Sequence, residues 1–476
     1  MFKKKKYQIF DFLIISLRII PAQSFFAIVY AVLESLMPAY QTLVIGHFIN
    51  VAMEVFSGNS DYISVLTPIL LIMAYIMFTN LMPSIANIIN LSGRNKLSVV
   101  LNNEMIRKRA SLEYKHIEKS EIQDLIHRVC MDIEGRFMDG FNNLLNVSKL
   151  IITLISLLAI IMSSTVSGGV LIMIAGIPLV ILAMKTGTEN YEMDIEAKRV
   201  QRKYNYLTEV LTERNFASER ILFDYSEKLQ RDFNELYTQS FRIESKIIWK
   251  IYTNMKSGAI FMLLIVAIFI LLLMPALQDG KMSIGIFIAL VNVLLNLVHR
   301  MARQLSWVMS DHAKVKEFLK DFTTFIMLSE KKDAQSSLVI HENFKLQEIE
   351  FKNVSFKYPY TENYILKDCS FVLSSQYNYA FVGINGAGKS TLLKLLTGQY
   401  EDFEGKILIN EKDIRDYDYR TLKSLIAVVF QDFARLELTL EQNITIGCGM
   451  KVDRKKMESV LSALELDEWI NKLPHK

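Results

Sequence analysis

Nine residues, Gly383-Ile-Asn-Gly-Ala-Gly-Lys-Ser-Thr391, have the types and spacing to hold a nucleoside triphosphate, G-x-x-x-x-G-K-[ST]. Gly383, Gly386 and Gly388, with Asn385 and Ala387 between them, form a backbone supple enough to turn its N–H groups toward phosphate oxygens. Lys389 offsets phosphate charge, the Ser390 hydroxyl suits Mg²⁺, and Thr391 adds a second hydroxyl. Composition alone would produce this pattern in roughly one chain in fifty of this length, so the flanks carry part of the argument. Asn378–Val382 reads as a short buried strand and Thr391-Leu-Leu-Lys-Leu-Leu396 as the apolar first turns of a helix. Strand, glycine loop and helix is the order a phosphate cradle needs.

The elements that position this loop begin in a different environment. The chain has 476 residues, 51% of them hydrophobic, which is too long and too apolar for one ordinary soluble domain. Uncharged stretches at Tyr62–Gly93, Leu150–Met184, Gly258–Leu277 and Met282–Val298, with Ile19–Met53 interrupted only by Glu34, meet or approach the ~20 residues that cross a bilayer as a helix. The turn signal Ser163–Gly169 divides the longest stretch into a hairpin, and Gln278–Lys281 separates the last two spans. The expectation is six spans, at about 21–50, 62–91, 141–163, 168–185, 258–277 and 282–298, within a membrane domain over 1–328. Tyr7–Ile20, ahead of the first span, reads as an interfacial elbow helix.

Lysine and arginine set the orientation. Residues 92–140 carry nine of them and the N-terminus opens with Lys3–Lys6, whereas the connections near 54–61, 163–169 and 278–281 carry only Lys281. By the positive-inside rule both termini are cytoplasmic, in a multi-pass protein of the cell membrane. No cleavable signal peptide is expected, because no short apolar stretch with a small-residue cleavage site follows the basic start. The net charge of +4 then reflects basic residues near the membrane, with no motif for nucleic acid. Cys130, Cys369 and Cys448 have no metal-ligand spacing and read as reduced structural thiols.

Residues 92–140 and 185–257 are charged, proline-free and apolar at helical intervals, so they read as helices leaving the membrane and returning. Halving each excursion gives reaches of about 36 Å and about 54 Å at 1.5 Å per residue, with tips near His116 and Ile221. The second tip presents Ile221, Leu222 and Phe223 together, which suits either packing in its own helical bundle or docking in a partner's groove.

An amphipathic helix runs to about Leu328, residues 329–343 form a polar linker, and a new domain covers 344–476. Strands are expected over Phe344–Phe356, Ser370–Leu373, Lys406–Ile409 and Leu425–Phe430, the last leading into Gln431. This order of features resembles the ATP-binding cassette (ABC) exporters. The residues that carry the likeness are the Tyr358-Pro turn, Gly383–Thr391, Val429-Phe-Gln-Asp432 and Thr439–Ile444. The resemblance implies an α-helical membrane domain of six extended spans followed by a partial α/β P-loop ATPase domain, with ATP and Mg²⁺ as cofactors. It implies that Tyr358 stacks on adenine, Lys389 holds the β- and γ-phosphates, and Ser390 and Gln431 meet Mg²⁺, Gln431 also meeting the membrane domain. His116 and Ile221 would then lie near two coupling helices.

The sequence departs from the family pattern in one respect: the Leu-Ser-Gly-Gly-Gln signature, the strand ending in Asp-Glu and the switch histidine are not found before Lys476. In the family two chains face each other, each P-loop meeting the other's signature, so catalytic residues are not expected within this stretch and a second half-transporter, identical or different, is the expected partner in the bilayer. Three readings stand at this point. One is ATP-driven export of a peptide, lipid or amphipathic small molecule. Another is an ATP-binding subunit that regulates a complete partner without hydrolysis. The last is a membrane-bound nucleotide-dependent sensor. Glu34, a carboxylate within a span, is a further functional candidate that either faces a watery cavity or pairs with a lysine.

Overall fold

The computed structural model describes residues 2–164, 166–280, 282–300, 304–331, 334, 344–431, 433, 436–446, 453–466, 469–470 and 472–473. Lys281, Asp432, Cys448 and nearly all of the linker expected after Lys331 lie outside the described residues. Two compact units form, Met1–Asn103 with Arg128–Ile326, and Glu104–His127 with Met327–Lys476. A helical unit of membrane type thus precedes a small sheet-containing unit.

In the first unit a short helix α1 (Ile9–Ile19) leads into α2 (Pro21–Phe56), with proline at the first helical position, where its missing N–H costs nothing. Next come α3 (Leu66–Ser111), α4 (Tyr114–Ile117), α5 (Ser120–Cys130), α6 (Ile133–Ser164) and α7 (Val166–Thr212). They are followed by α8 (Ala217–Phe223), α9 (Ser226–Gln278), α10 (Ile284–His299) and α11 (Leu305–Met327). Among the described residues Pro21–Phe56, Tyr62–Ser111 and Ile133–Ser163 are long and apolar enough to cross a membrane, and Leu263–Gln278 and Ile284–Leu297 are shorter apolar helices. The chain is a multi-pass membrane protein.

Each excursion breaks close to its midpoint, where halving its length places the tip. α3 ends at Ser111 ahead of the single turn of α4, and α7 ends at Thr212 ahead of α8, whose last residues Ile221, Leu222 and Phe223 are strongly exposed. The 47 residues of α7 and 53 of α9 make rods of about 70 and 80 Å. Their outer parts hold together through Tyr204 of α7, set edge-on to Phe233 and Tyr237 of α9.

Two kinds of contact organise this unit. One is an aromatic cluster in which Phe12 of α1 meets Phe137 of α6 edge-on at 5.1 Å, and Phe137 meets Phe318 and Phe322 of α11. The buried face of α1 is thereby tied down, while Phe10, Ile14 and Leu17 remain an exposed apolar stripe, as an interfacial helix requires. The other contact is a close approach of α2 and α10 through small residues. A Cβ on Gly285 would lie 2.4 Å from the Gly46 carbonyl oxygen, and the Gly285 N–H donates to Asn50 Oδ1 at 3.0 Å. Small residues let backbones pack where lipid offers no hydrophobic drive.

In the second unit β1 (Glu348–Phe356) pairs antiparallel with β2 (Leu366–Ser374) on one side and β3 (Glu404–Ile409) on the other, and β4 (Lys412–Asp413) extends β3. Alternation buries Phe351, Val354 and Phe356 on one face, and the Phe351 and Phe371 rings stack at 4.5 Å across the first ladder. Helix α12 (Lys389–Leu396) drops Leu395 into the same core, with α13 (Tyr419–Leu425), α14 (Leu440–Thr445) and α15 (Arg454–Ala463) after it.

Two expected strands do not form. Residues 378–382 and 426–430 are irregular, with Val382 at 92% and Val429 at 94% exposure. An apolar run signals burial, but a central strand also needs hydrogen-bonding neighbours on both sides, and the described sheet, wholly antiparallel, closes around β1 and β3 without them.

Replacing Gly285 with Val drives a side chain into the backbone of α2, which cannot yield as a side chain can. Thermal unfolding of the detergent-purified chain is expected to show a loss of about 1–3 kcal/mol, whereas an unchanged midpoint would remove this contact from the list of constraints.

Candidate nucleotide-binding site

The glycine loop owes its shape to two left-handed residues. Gly386 and Gly388 have φ of +86° and +89°, open to glycine but strained for other residues. Gly388 is doubly constrained, since a Cβ there would also lie 2.8 Å from Leu366 Cδ2 of β2. The loop closes with the Ala387 N–H donating to the Ile384 carbonyl at 3.2 Å, and α12 opens with the Leu392 N–H donating to Gly388 O at 3.0 Å.

Gly388 caps α12 without a side chain, and no acidic residue occupies the first turn. The N–H groups of Lys389, Ser390 and Thr391 therefore point out of the helix with no intrahelical acceptor, which is the arrangement that receives phosphate. Lys389 folds back over the loop and donates to the carbonyls of Gly383 at 2.7 Å and Ile384 at 2.9 Å. Ser390 is exposed, and among the described residues its hydroxyl makes no hydrogen bond. Thr391 is buried, its Oγ1 3.0 Å from the Tyr358 hydroxyl. The donor set fits a phosphate with a hard cation beside it: uncapped N–H groups, an ammonium and an open hydroxyl.

Tyr358 is brought against this loop, half-buried, its ring edge-on to Phe356 at 5.2 Å and to Tyr400 at 5.5 Å. Gln431 lies in an exposed turn beyond residues 426–430, and no described hydrogen bond joins it to the loop. A cavity of about 520 Å³ in this unit is lined by Tyr114, Glu330, Tyr400, Arg415 and Tyr419 among others, and by none of the glycine-loop residues.

Sequence reasoning missed the junction behind the loop. Lys394, one turn along α12, pairs with the Glu118 carboxylate, which also accepts from the Tyr400 hydroxyl. Its ammonium stands 5.2 Å from the Tyr358 ring centroid and 5.4 Å from that of Tyr114. Burial pulls the Lys394 ammonium down, yet Glu118 and the two tyrosines outweigh it and hold the lysine above its ordinary value. Burial and the bond to Glu118 push the Tyr400 phenol well up, so it stays a donor. One signal was available: Lys394 is the single charge inside the apolar run Thr391–Leu396. The turn holding Glu118 is anchored in turn by Lys108, which bonds the Leu328 carbonyl at 2.8 Å and pairs with Glu330, and by buried His116, whose Nε2 is 2.8 Å from Ser329 Oγ.

Residues 366–476 match the family model described as ABC transporter. Over 404 residues, 85% of this chain and 65% of the relative, the sequence is 26% identical to the subtilin transport ATP-binding protein SpaT of Bacillus subtilis. It is 27% identical over 312 residues, 64% of this chain and 49% of the relative, to the ATP-dependent lipid A-core flippase of Pseudomonas aeruginosa. Over 199 residues, 41% of this chain and 28% of the relative, it is 33% identical to the mitochondrial iron-sulfur clusters transporter ATM1 of Saccharomyces cerevisiae. The chain thus spans less than two thirds of the length of each of these relatives. Among solved structures, that of a bacterial Atm1-family ABC exporter with ATP bound shares the fold at a TM-score of 0.73 and 20% identity, covering 94% of this chain and 78% of that one.

Burial, and then the neighbouring Lys115, hold the His116 imidazole below its ordinary value, so the folded turn favours the neutral ring. A folded value below the unfolded one means stability that is present above about pH 6.5 and lost as pH falls through the folded value. The protection of the amides of residues 113–118, corrected for the intrinsic pH dependence of exchange, is expected to fall on acidification through this window, and His116→Gln to flatten that dependence. An identical pH response in the variant would assign it elsewhere.

Proposed function

The chain belongs to the ABC transporters and follows the plan of an exporter half-transporter, and from that premise we propose that it drives the export of a substrate across the cytoplasmic membrane at the expense of ATP, working with a second half-transporter. The observation that carries this reading is the glycine loop at the uncapped start of α12, on the helix whose next turn holds Glu118 of the segment that α3 delivers from the apolar stretches. The glycine loop and the turn that follows α3 meet at one short helix.

Bound ATP with Mg²⁺ supplies the phosphoanhydride bond whose cleavage powers such a cycle. For its part the chain offers Gly383, Asn385, Gly386, Ala387 and Gly388 as the cradle, with the N–H groups of residues 389–391 directed at the phosphates. Lys389, now on the carbonyls of Gly383 and Ile384, would hold the β- and γ-phosphates. Ser390 and Gln431 would hold the cation, and Tyr358, its hydroxyl beside Thr391 Oγ1, would stack on the adenine. Both termini are cytoplasmic, on the side where ATP is found. Exposed Ile221, Leu222 and Phe223 are suited to a groove on the partner half-transporter. The relatives are named for transport of subtilin, of lipid A-core and of iron-sulfur clusters, so a peptide, a lipid or an amphipathic small molecule is the substrate range proposed for this chain.

Inside-out vesicles carrying the chain together with a complete partner half-transporter provide the test, incubated with a labelled peptide, a labelled lipid and an amphipathic dye in turn. ATP-dependent accumulation of at least one probe is expected, with Lys389→Ala abolishing it and weakening photolabelling by an azido-ATP analogue about tenfold or more. Accumulation that proceeds equally without ATP, or undiminished in the variant, would overturn the proposal.

A further inference from the structure

Three helices of the first unit turn polar residues toward one cleft of about 300 Å³. α2 brings Tyr30 and Glu34, α3 brings Asn87 and Asn90, and α6 brings Asn142, Asn146 and Lys149, each set at the three- or four-residue spacing that shares a helix face. Lys149 Nζ lies 2.6 Å from Glu34 Oε2 and 5.4 Å from the Tyr30 ring centroid, so the cleft's two charges compensate each other. Of the two alternatives for Glu34, the structure has it paired with a lysine on the wall of a polar cleft.

The asparagines are the informative group. Among the described residues the side chains of Asn87, Asn90, Asn142 and Asn146 make no hydrogen bond within the chain. Their neighbour Asn143 behaves as a structural amide does: it is buried, donates to the Val308 carbonyl at 3.2 Å and meets His312 Nδ1 at 3.2 Å. Asn87 is exposed and Asn90, Asn142 and Asn146 are half-buried, so these carboxamides, each with two donors and two acceptor lone pairs, are open to whatever enters the cleft.

The occupant's chemistry follows from the wall. A site whose charges are already paired has no preference for an ion, and amides that both give and accept match a ligand that does the same. Asn142 and Asn146 also border a second cavity, of about 420 Å³, where Arg136, Asp139, Asp311 and Lys314 supply both signs of charge. Two cavities in tandem, joined by a row of amides and differing in polarity, suit a linear ligand whose backbone repeats N–H and C=O groups and whose side chains vary. We infer that this amide row is a peptide-binding track, its carboxamides reading main-chain groups and the stacked rings of Phe26 and Tyr30 receiving apolar side chains. The inference names a substrate class for the export reading and rests on it.

The test uses the full chain in lipid nanodiscs without nucleotide. Anisotropy of a fluorescein-labelled, capped, uncharged peptide is followed as protein is added, with unlabelled peptide and a neutral oligosaccharide as competitors. Saturable binding displaced by the peptide alone is expected. The double variant Asn142→Leu/Asn146→Leu weakens it about tenfold or more, and the near-isosteric Asn146→Asp weakens it too, while azido-ATP labelling stays unchanged in both. Displacement by the oligosaccharide would overturn the inference in favour of a glycan headgroup. Absence of peptide binding, or full affinity in both variants, would overturn it outright. Because no nucleotide is present, peptide binding that persists when ATP-driven accumulation fails counts against export and leaves the track standing.

Discussion

In the second unit, alongside the Lys115–Asp402 and Lys108–Glu330 pairs, the ionic contact between Lys394 on α12 and Glu118 in the turn that follows α3 ties the helix after the glycine loop to that turn. Both residues are partly exposed, so the pair contributes about 1–2 kcal/mol after allowance for solvent. Its importance is positional. Lys394 lies one turn from the start of the helix that follows the glycine loop, and its ammonium lies close to the rings of both Tyr358 and Tyr114. Glu118 is fastened a second time by Tyr400, whose phenol stays protonated and donating. The contact between α12 and the Glu118 turn is thus direct, with no intervening loop between them.

The glycine loop was legible in the sequence because its chemistry is local: two positive-φ glycines, an ammonium and two hydroxyls within nine residues. Helix breaks near His116 and Ile221 were legible because a helix that leaves the membrane and returns must turn near the middle of its length. The Lys394–Glu118 contact joins residues 276 positions apart, a separation that no spacing rule reaches. Only the oddity of a lone lysine in an apolar run hinted at it. Residues 378–382 and 426–430 show the converse error, because apolarity forecasts burial while ladder pairing depends on neighbours that the run itself does not specify. Tyr358 falls between these cases: its turn was readable, its hydroxyl bond to buried Thr391 was not.

In the first unit polar groups are concentrated rather than scattered. Glu34 and Lys149 neutralise each other beside a row of asparagines on α3 and α6, and close packing of α2 on α10 through Gly46 and Gly285 sets the frame around them. Such economy is expected where every unmatched polar group is costly, and it makes the polar face of α6 the chemically distinctive surface of the unit.

The central claim is that events at the glycine loop reach the turn at Glu118 through Lys394. Hydrogen exchange of residues 112–119 in the reconstituted chain, with and without ATP and Mg²⁺, tests it most directly. The account predicts that nucleotide changes protection in this turn, and that Lys394→Met removes the change while nucleotide labelling persists. Equal protection in the two states of the wild-type chain, with nucleotide demonstrably bound, would contradict it.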